Sequence, residues 1–374
     1  MFRLKQYIKM LLQNVLLPLV YRCFCRRPIR KGSVIFADGH HEEIPFSMQR
    51  MYEAVAATES DVELFLCDFG RMSFGAMARY LVRFMKQYAT AEYVFICDYF
   101  LPVAACRKRR ETTVVQLWHS CGLMKKIAYD TGQDIPEHYR GNMFGNYTWL
   151  TLSAEVCVPV HARALRIPQE RIRATGVSRT DCYFDPSWNE QCRNRFYEQY
   201  PEAKGKKILL WAPTFRGNAA MPRLEGLQEI KHAAGALGEA YDLIIRAHPH
   251  VDSHGMISNC TIPTEELLCV TDVLITDYSS VMFDYLIYRK PLILFAPDLS
   301  QYEENRGFYL NYREIPFPVA MTEEELVSSI RSCETWQRDH KAEIEAFREK
   351  YTGACDGRAT ERILELAGLK QDRR

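Results

Sequence analysis

The feature that most constrains this chain is an alternation, met twice, of short apolar runs with stretches whose apolar residues recur every three to four positions. In the first series, residues 34–37, 62–67, 93–97, 114–118 and 149–152 read as strands, with helical stretches at 48–57, 74–88 and 155–164 between them. In the second, 208–211, 243–246, 273–276 and 292–295 read as strands, followed by helical stretches at 323–333 and 336–350. Apolar runs this short suit strands buried on both faces, and parallel neighbours need a crossover, usually a helix, to connect them. Each series therefore predicts a Rossmann-like, doubly wound parallel sheet, and the fold class is α/β. The polar stretch 185–207, with Pro186, Pro201 and Gly205, is the expected connection, and its 188–200 part reads as a linker helix. No short-period repeat or low-complexity tract is present, which argues against a solenoid.

In open parallel sheets ligands bind off the carboxyl ends of the strands, and there the polar residues of this sequence collect. Within 271–290, TDVLITDYSSVMFDYLIYRK, the apolar run Val273, Leu274 and Ile275 gives way to Val281, Met282, Tyr285, Leu286 and Tyr288 at helical spacing. A strand ends and a helix begins within Thr276-Asp277-Tyr278-Ser279-Ser280, five consecutive residues with side-chain oxygens. The first N–H groups of a helix lack partners and attract phosphate, although Ser and Asp are equally the usual residues of an ordinary helix cap. Other strand ends carry comparable groups. Ala212-Pro213-Thr214-Phe215-Arg216 follows one, and Arg246-Ala247-His248-Pro249 another; Arg246 and His248 could supply positive charge to a phosphate, Pro213 a stiff turn and Thr214 a hydroxyl. After 114–118 comes His119-Ser120-Cys121-Gly122-Leu123, an imidazole beside a turn that glycine permits, hence a candidate general base near neutrality. Gly176-Val177-Ser178-Arg179-Thr180-Asp181 adds a further guanidinium. Each of these groups alone could be loop chemistry or a surface ion pair; their recurrence at successive strand ends is the stronger signal.

Charge sets the N-terminus apart. Met1 to Lys31 holds eight Arg or Lys and no acid, which leaves the rest with 40 basic against 47 acidic residues, a balance of −7. A basic balance confined to one end argues against a general nucleic-acid binder. The apolar part, 8–21, is interrupted by Lys9, Gln13, Asn14 and Pro18 and falls short of the roughly 20 residues needed to cross a bilayer. Bracketed by basic residues, it is expected to lie on an anionic, cytoplasmic membrane face as an amphipathic helix. A helix docked on its own domain is the other reading, and a secretory signal is disfavoured because the run ends in YRCFCRRP with no small-residue cleavage site. Thirteen cysteines without CxxC spacing are expected to be reduced thiols, neither a zinc site nor a disulfide framework.

The motifs WHSCGLMKKIAYD, GVSRTD, WAPTFR, RAHPH and VLITDYSSVMFDYLIYRKPLILFAPDLSQYEENRGFYLNY resemble those of the CDP-glycerol glycerophosphotransferases of bacterial teichoic acid synthesis and their polyol-phosphate relatives, from about Ser33 to Tyr312. The resemblance implies a GT-B architecture, with two Rossmann-like domains facing a central cleft, and a peripheral location at the cytoplasmic face of the membrane. The expected division is 1–31 for membrane association, 32–190 for the acceptor and 191–374 for the CDP-polyol, with the C-terminal helices either in the last domain or packed back on the first. Matched by motif, His119 falls on the proposed catalytic base, and Ser120, Cys121, Gly122 and Leu123 on the substrate-contacting turn. Arg179, Pro213, Thr214, Arg246, Ala247, His248, Ser279, Ser280 and Asp284 fall around the CDP-polyol. The family commonly has Gly-Thr-Pro where this chain has Ser120-Cys121-Gly122, and a proline where it has Ser178.

The expected reaction is attack of an acceptor hydroxyl, deprotonated by His119, on the β-phosphorus of CDP-glycerol, with His248 and Arg246 offsetting charge and CMP leaving. The expected partners are CDP-glycerol or a related CDP-polyol, a lipid-linked acceptor and an anionic membrane surface. The scheme calls for no metal and no cofactor. Transfer of ribitol phosphate, a GT-B sugar transferase and a silent polymer-binding protein are the alternatives.

Overall fold

The structure, a computed structural model, describes residues 2–218, 221–247 and 257–369. Its contacts form two compact units that do not follow chain order. One comprises Met1–His119, Ile127–Asp181 and Ala354–Arg374, the other Ser120–Lys126 and Cys182–Gly353.

The first unit is built on β1 (Arg30–Asp38), β2 (His40–His41), β3 (Asp61–Asp68), β4 (Ala91–Ile96), β5 (Thr113–Gln116), β6 (Trp149–Thr151) and β7 (Ile172–Arg173), in the order β2-β3-β1-β4-β5-β6-β7. Every pairing is parallel except the short antiparallel β2–β3. Val34, Phe36, Phe95, Val115 and Leu117 bury one face against Met48, Met51 and Val55 of the Phe46–Ala56 helix and against Ile363 and Leu364 of the Ala359–Ala367 helix. The chain's last helix therefore closes the core of its first sheet. Asp181 holds that helix from a distance: its carboxylate accepts from the N–H groups of Ala359 at 3.0 Å and Thr360 at 2.7 Å, the role of an N-cap. Gly176 lies at φ +85°, and a Cβ there would meet the Ala354 carbonyl oxygen at 2.4 Å, so only glycine fits.

The N-terminus is one interrupted helix, Phe2–Leu11, a π turn at Leu12–Leu16, and Leu17–Phe24. Pro18 has no N–H to continue the i→i−4 ladder, a cause of such a local widening. The helix docks on its own unit. Gln13, Leu17 and Tyr21 are buried, the Tyr21 ring packs 5.0 Å from that of Tyr88, and Gln13 donates to the Asn142 carbonyl at 2.7 Å. Tyr7, Ile8, Leu11, Val15, Leu16 and Leu19 remain exposed.

The second unit is built on β8 (Lys207–Ala212), a hairpin of β9 (Arg216–Asn218) and β10 (Met221–Arg223), then β11 (Tyr241–Ile245), β12 (Val273–Thr276), β13 (Leu292–Phe295) and β14 (Val319–Ala320). Its sheet runs β11-β8-β12-β13-β14, parallel throughout. Leu209, Trp211, Ile275 and Ile293 pack on Ile230, Leu326 and Ile330 of the flanking helices. The expected linker helix is present as Pro186–Gln199, started by Asp185, whose side chain accepts from Ser187 and Trp188. The helix expected after Ser280 is present as Val281–Tyr285, continued as 3-10 helix to Tyr288.

In each sheet the order reverses at its first strand, placing a topological switch between β1 and β4 in the first unit and between β8 and β12 in the second. Ligand sites of open α/β sheets form off the carboxyl ends at such points.

Candidate active site

At the second unit's switch point the ends of β8 and β12 are laced together. The Thr276 hydroxyl donates to the Ala212 carbonyl at 2.7 Å, and the Thr214 N–H donates to Asp277 Oδ1 at 2.8 Å. Arg216 fills the space behind them. Its guanidinium meets Asp298 through Nε at 2.6 Å and Nη2 at 2.9 Å, and Asp277 Oδ2 at 3.0 Å. It also lies 4.7 Å from the Tyr278 ring centroid and 5.1 Å from that of Tyr302. Burial alone would raise the Asp298 carboxyl, but hydrogen bonding to Arg216 outweighs it and holds the group below the usual carboxylate range. Arg216 is thus engaged by protein carboxylates and braces the turn. The Thr214 Oγ1 is shielded from solvent and has no hydrogen-bond partner among the described residues. Ser279 and Ser280 follow on the same turn, half-buried, with the Val281 N–H donating to Ser279 Oγ at 3.3 Å.

The segment Ser120–Lys126 is anchored in this unit. The Lys126 N–H donates to the Gly307 carbonyl at 3.1 Å, the Tyr309 N–H to the Met124 carbonyl at 2.8 Å, and Arg306 Nε to the Lys126 carbonyl at 3.2 Å. Gly122, at φ +67°, lies so close to Phe283 that a Cβ would stand 2.5 Å from three ring atoms. Three motifs remote in sequence, around 122, 283 and 307, therefore form one structure. Cys121 and Leu123 are buried in it.

His119 is the last residue of the first unit before that segment. Strand β5 ends at Gln116, two residues before the expected end, because Trp118 turns away at φ +59° with its N–H held at 3.1 Å by the Gln116 side chain. The turn exposes His119. Its Nδ1 lies 3.3 Å from the Cys97 carbonyl and 3.8 Å from Asp98 Oδ1, and the Trp118 ring stacks on the imidazole at 5.1 Å between centroids. Trp118 also meets the edge of His161, a buried imidazole whose burial pushes it down to about 4.

Of the residues expected from sequence, Pro213, Thr214, Ser279 and Ser280 come together at the β8–β12 switch. Arg246 and Ala247 sit at the end of β11, on the other side of β8. Asp284 is buried within its helical turn, and Arg179 is buried in the first unit. His248 lies outside the described residues. The sequence reading did not assign Arg216, Asp277, Asp298 or Asp98. Asp98 follows immediately on the expected strand 93–97, so the strand-end rule that picked out His119 would also have found it.

A parallel α/β sheet with polar residues off its carboxyl ends at a switch point suits a nucleotide-bearing ligand. The family model for CDP-Glycerol:Poly(glycerophosphate) glycerophosphotransferase matches residues 19–367, and the chain belongs to that family. It is 28% identical over 367 residues to the teichoic acid ribitol-phosphate primase of Bacillus spizizenii, covering 91% of each chain. It is 29% identical over 378 residues to the teichoic acid poly(ribitol-phosphate) polymerase of the same organism, covering 96% of this chain and 60% of that one. Its fold is similar to that of the wall teichoic acid polymerase TagF, with a TM-score of 0.74 and 20% identity over 98% of this chain and 97% of the other.

Proposed function

We propose that this chain transfers glycerol phosphate from CDP-glycerol to a hydroxyl of a polyol or lipid-linked acceptor, releasing CMP, in the synthesis of a teichoic-acid-like surface polymer. In this reading Thr214, Ser279, Ser280, Arg246 and His248 serve the donor diphosphate, and His119 takes the acceptor proton. The observation that carries the assignment of His119 is its hydrogen bonding. A carbonyl only accepts, so the contact with Cys97 favours hydrogen on Nδ1 and supports Nε2 as the basic nitrogen. As the acceptor oxygen bonds to the β-phosphorus, its proton passes to Nε2, and the bond to the bridging oxygen breaks with its electron pair leaving on CMP. Most of the acceleration in such transfers comes from positioning and electrostatics.

Ribitol phosphate is the second reading, favoured by the names of the two relatives above. Assay of CMP release with CDP-glycerol, CDP-ribitol and nucleotide sugars decides between donors. His119→Ala and His248→Ala should each lower turnover about a hundredfold or more; near-normal CMP release from either variant overturns that residue's role.

The same reading places the chain on an anionic membrane surface at its cytoplasmic face, where a lipid-linked acceptor would be met. The exposed ridge Ile8, Leu11, Val15 and Leu19, with Arg22 and Arg26 exposed beyond it, supports this.

A further inference from the structure

We infer that Asp98 is the positioning residue of His119, an inference that rests on the catalytic reading of that histidine. The placement follows from register. Strands β4 and β5 are parallel neighbours with Ile96 opposite Gln116, so the residues that leave the two strands, Cys97-Asp98 and Leu117-Trp118-His119, run side by side. Gln116 ties them together. Its side-chain amide donates to the Asp98 carbonyl at 3.0 Å, and its side-chain oxygen accepts from the Trp118 N–H at 3.1 Å. Asp98 Oδ1 is oriented by the N–H of Tyr99 at 2.6 Å. The result is a carboxylate 3.8 Å from Nδ1, on the side of the ring already held by the Cys97 carbonyl. Both groups only accept, so both favour hydrogen on Nδ1, and the charge of Asp98 favours the imidazolium that forms once Nε2 has taken the acceptor proton.

Other charged or titratable groups of this unit surround the pair. From β1 and β2 come Asp38 and His41, joined at 2.9 Å. From the Cys157–Leu165 helix comes His161, which stays neutral down to about pH 4. Cys97 is held well above the ordinary thiol range, first by burial and then by the charges of Asp38 and Asp98. His41 is raised by its hydrogen bond to Asp38, which makes it the charged neighbour to be removed when Asp98 is tested.

The test is kcat and KM for CMP release by the full chain and by Asp98→Asn, Asp98→Glu and Asp98→Ala, each also carried in a His41→Gln background. Removing the negative charge should lower kcat about tenfold or more. KM for the donor should stay within about twofold, and Asp98→Glu should recover part of the rate. A kcat within about threefold of wild type in Asp98→Asn and Asp98→Ala overturns the inference. Nitrogen-15 imidazole spectra, assigned with His119→Gln, read the same contact without turnover: Nδ1–H should dominate in the wild type and fall in Asp98→Ala. An unchanged tautomer balance overturns the positioning role even if no donor is turned over. The expected tautomer change between wild type and Asp98→Ala, with no CMP released by the wild type from any CDP-polyol, would instead refute the catalytic reading.

Discussion

The Thr214 N–H and the Asp277 carboxylate, 2.8 Å apart, join two motifs separated by more than sixty residues at the switch point of the second sheet. Behind this contact Arg216 is held by Asp277 and Asp298, and all three side chains are largely buried, 11%, 4% and 16% exposed. Removing one member of a buried ion group strands the others. Asp298→Ala is therefore expected to destabilise the protein by about 3 kcal/mol, read by thermal or denaturant melts. Because the folded state holds Asp298 below the ordinary carboxylate range, its contribution is present above that range and is lost as pH falls from it through the lower folded value. A loss under about 1 kcal/mol in the variant would show that the network does not brace the turn.

Thr214→Val separates ligand binding from folding. The Oγ1 has no partner among the described residues, so its loss should leave stability within about 0.5 kcal/mol while weakening binding of CDP-glycerol several-fold. Calorimetry and a melt on the same preparation check both halves. Unchanged affinity would remove Thr214 from the donor site.

Gly122→Ala should destabilise by about 2 kcal/mol or more, since the new methyl group would stand 2.5 Å from Phe283 at a positive φ. Adding Phe283→Leu should restore part of the loss by relieving the contact, though not the backbone strain. A double variant no more stable than Gly122→Ala alone would locate the strain elsewhere.

His161 is buried and neutral, with burial pushing it down to about 4. The unfolded chain binds the proton near 6.5, so this group's contribution is intact above that pH and declines as pH falls from about 6.5 to 4, by up to about 3 kcal/mol. His161→Phe, which keeps a ring against Trp118, should lose less stability between pH 7 and 4.5 than the wild type. Parallel acid slopes for the two proteins would contradict this.

The two faces of the N-terminal helix should separate in experiment. Leu11→Ser with Val15→Ser and Leu19→Ser changes exposed positions and should lower binding to anionic vesicles with little change in melting temperature. Leu17→Ala changes a buried position and should cost about 2–4 kcal/mol without touching the exposed ridge. Vesicle co-sedimentation unaffected by the triple change would remove the membrane role of the ridge.

Much of this was legible from local pattern. The strand 273–276 and the helix 74–88 appear with the bounds read from sequence, because a run buried on both faces and a period of 3.6 are imposed by the chain's own geometry. Turn chemistry likewise marked His119, Pro213, Thr214, Ser279 and Ser280 as strand-end residues. What only the tertiary structure decided were relations between segments. Asp298 becomes a partner of Arg216, and Asp181 the cap of a helix beginning at Ala359, through contacts across 82 and 178 residues that no local spacing encodes. The N-terminal helix was ambiguous for a similar reason: its sequence holds two apolar faces, and the neighbouring surface decides that Leu17 and Tyr21 are buried while Leu11 and Leu19 stay exposed. A sequence specifies which residues can be buried; which ones are buried depends on the surface that meets them.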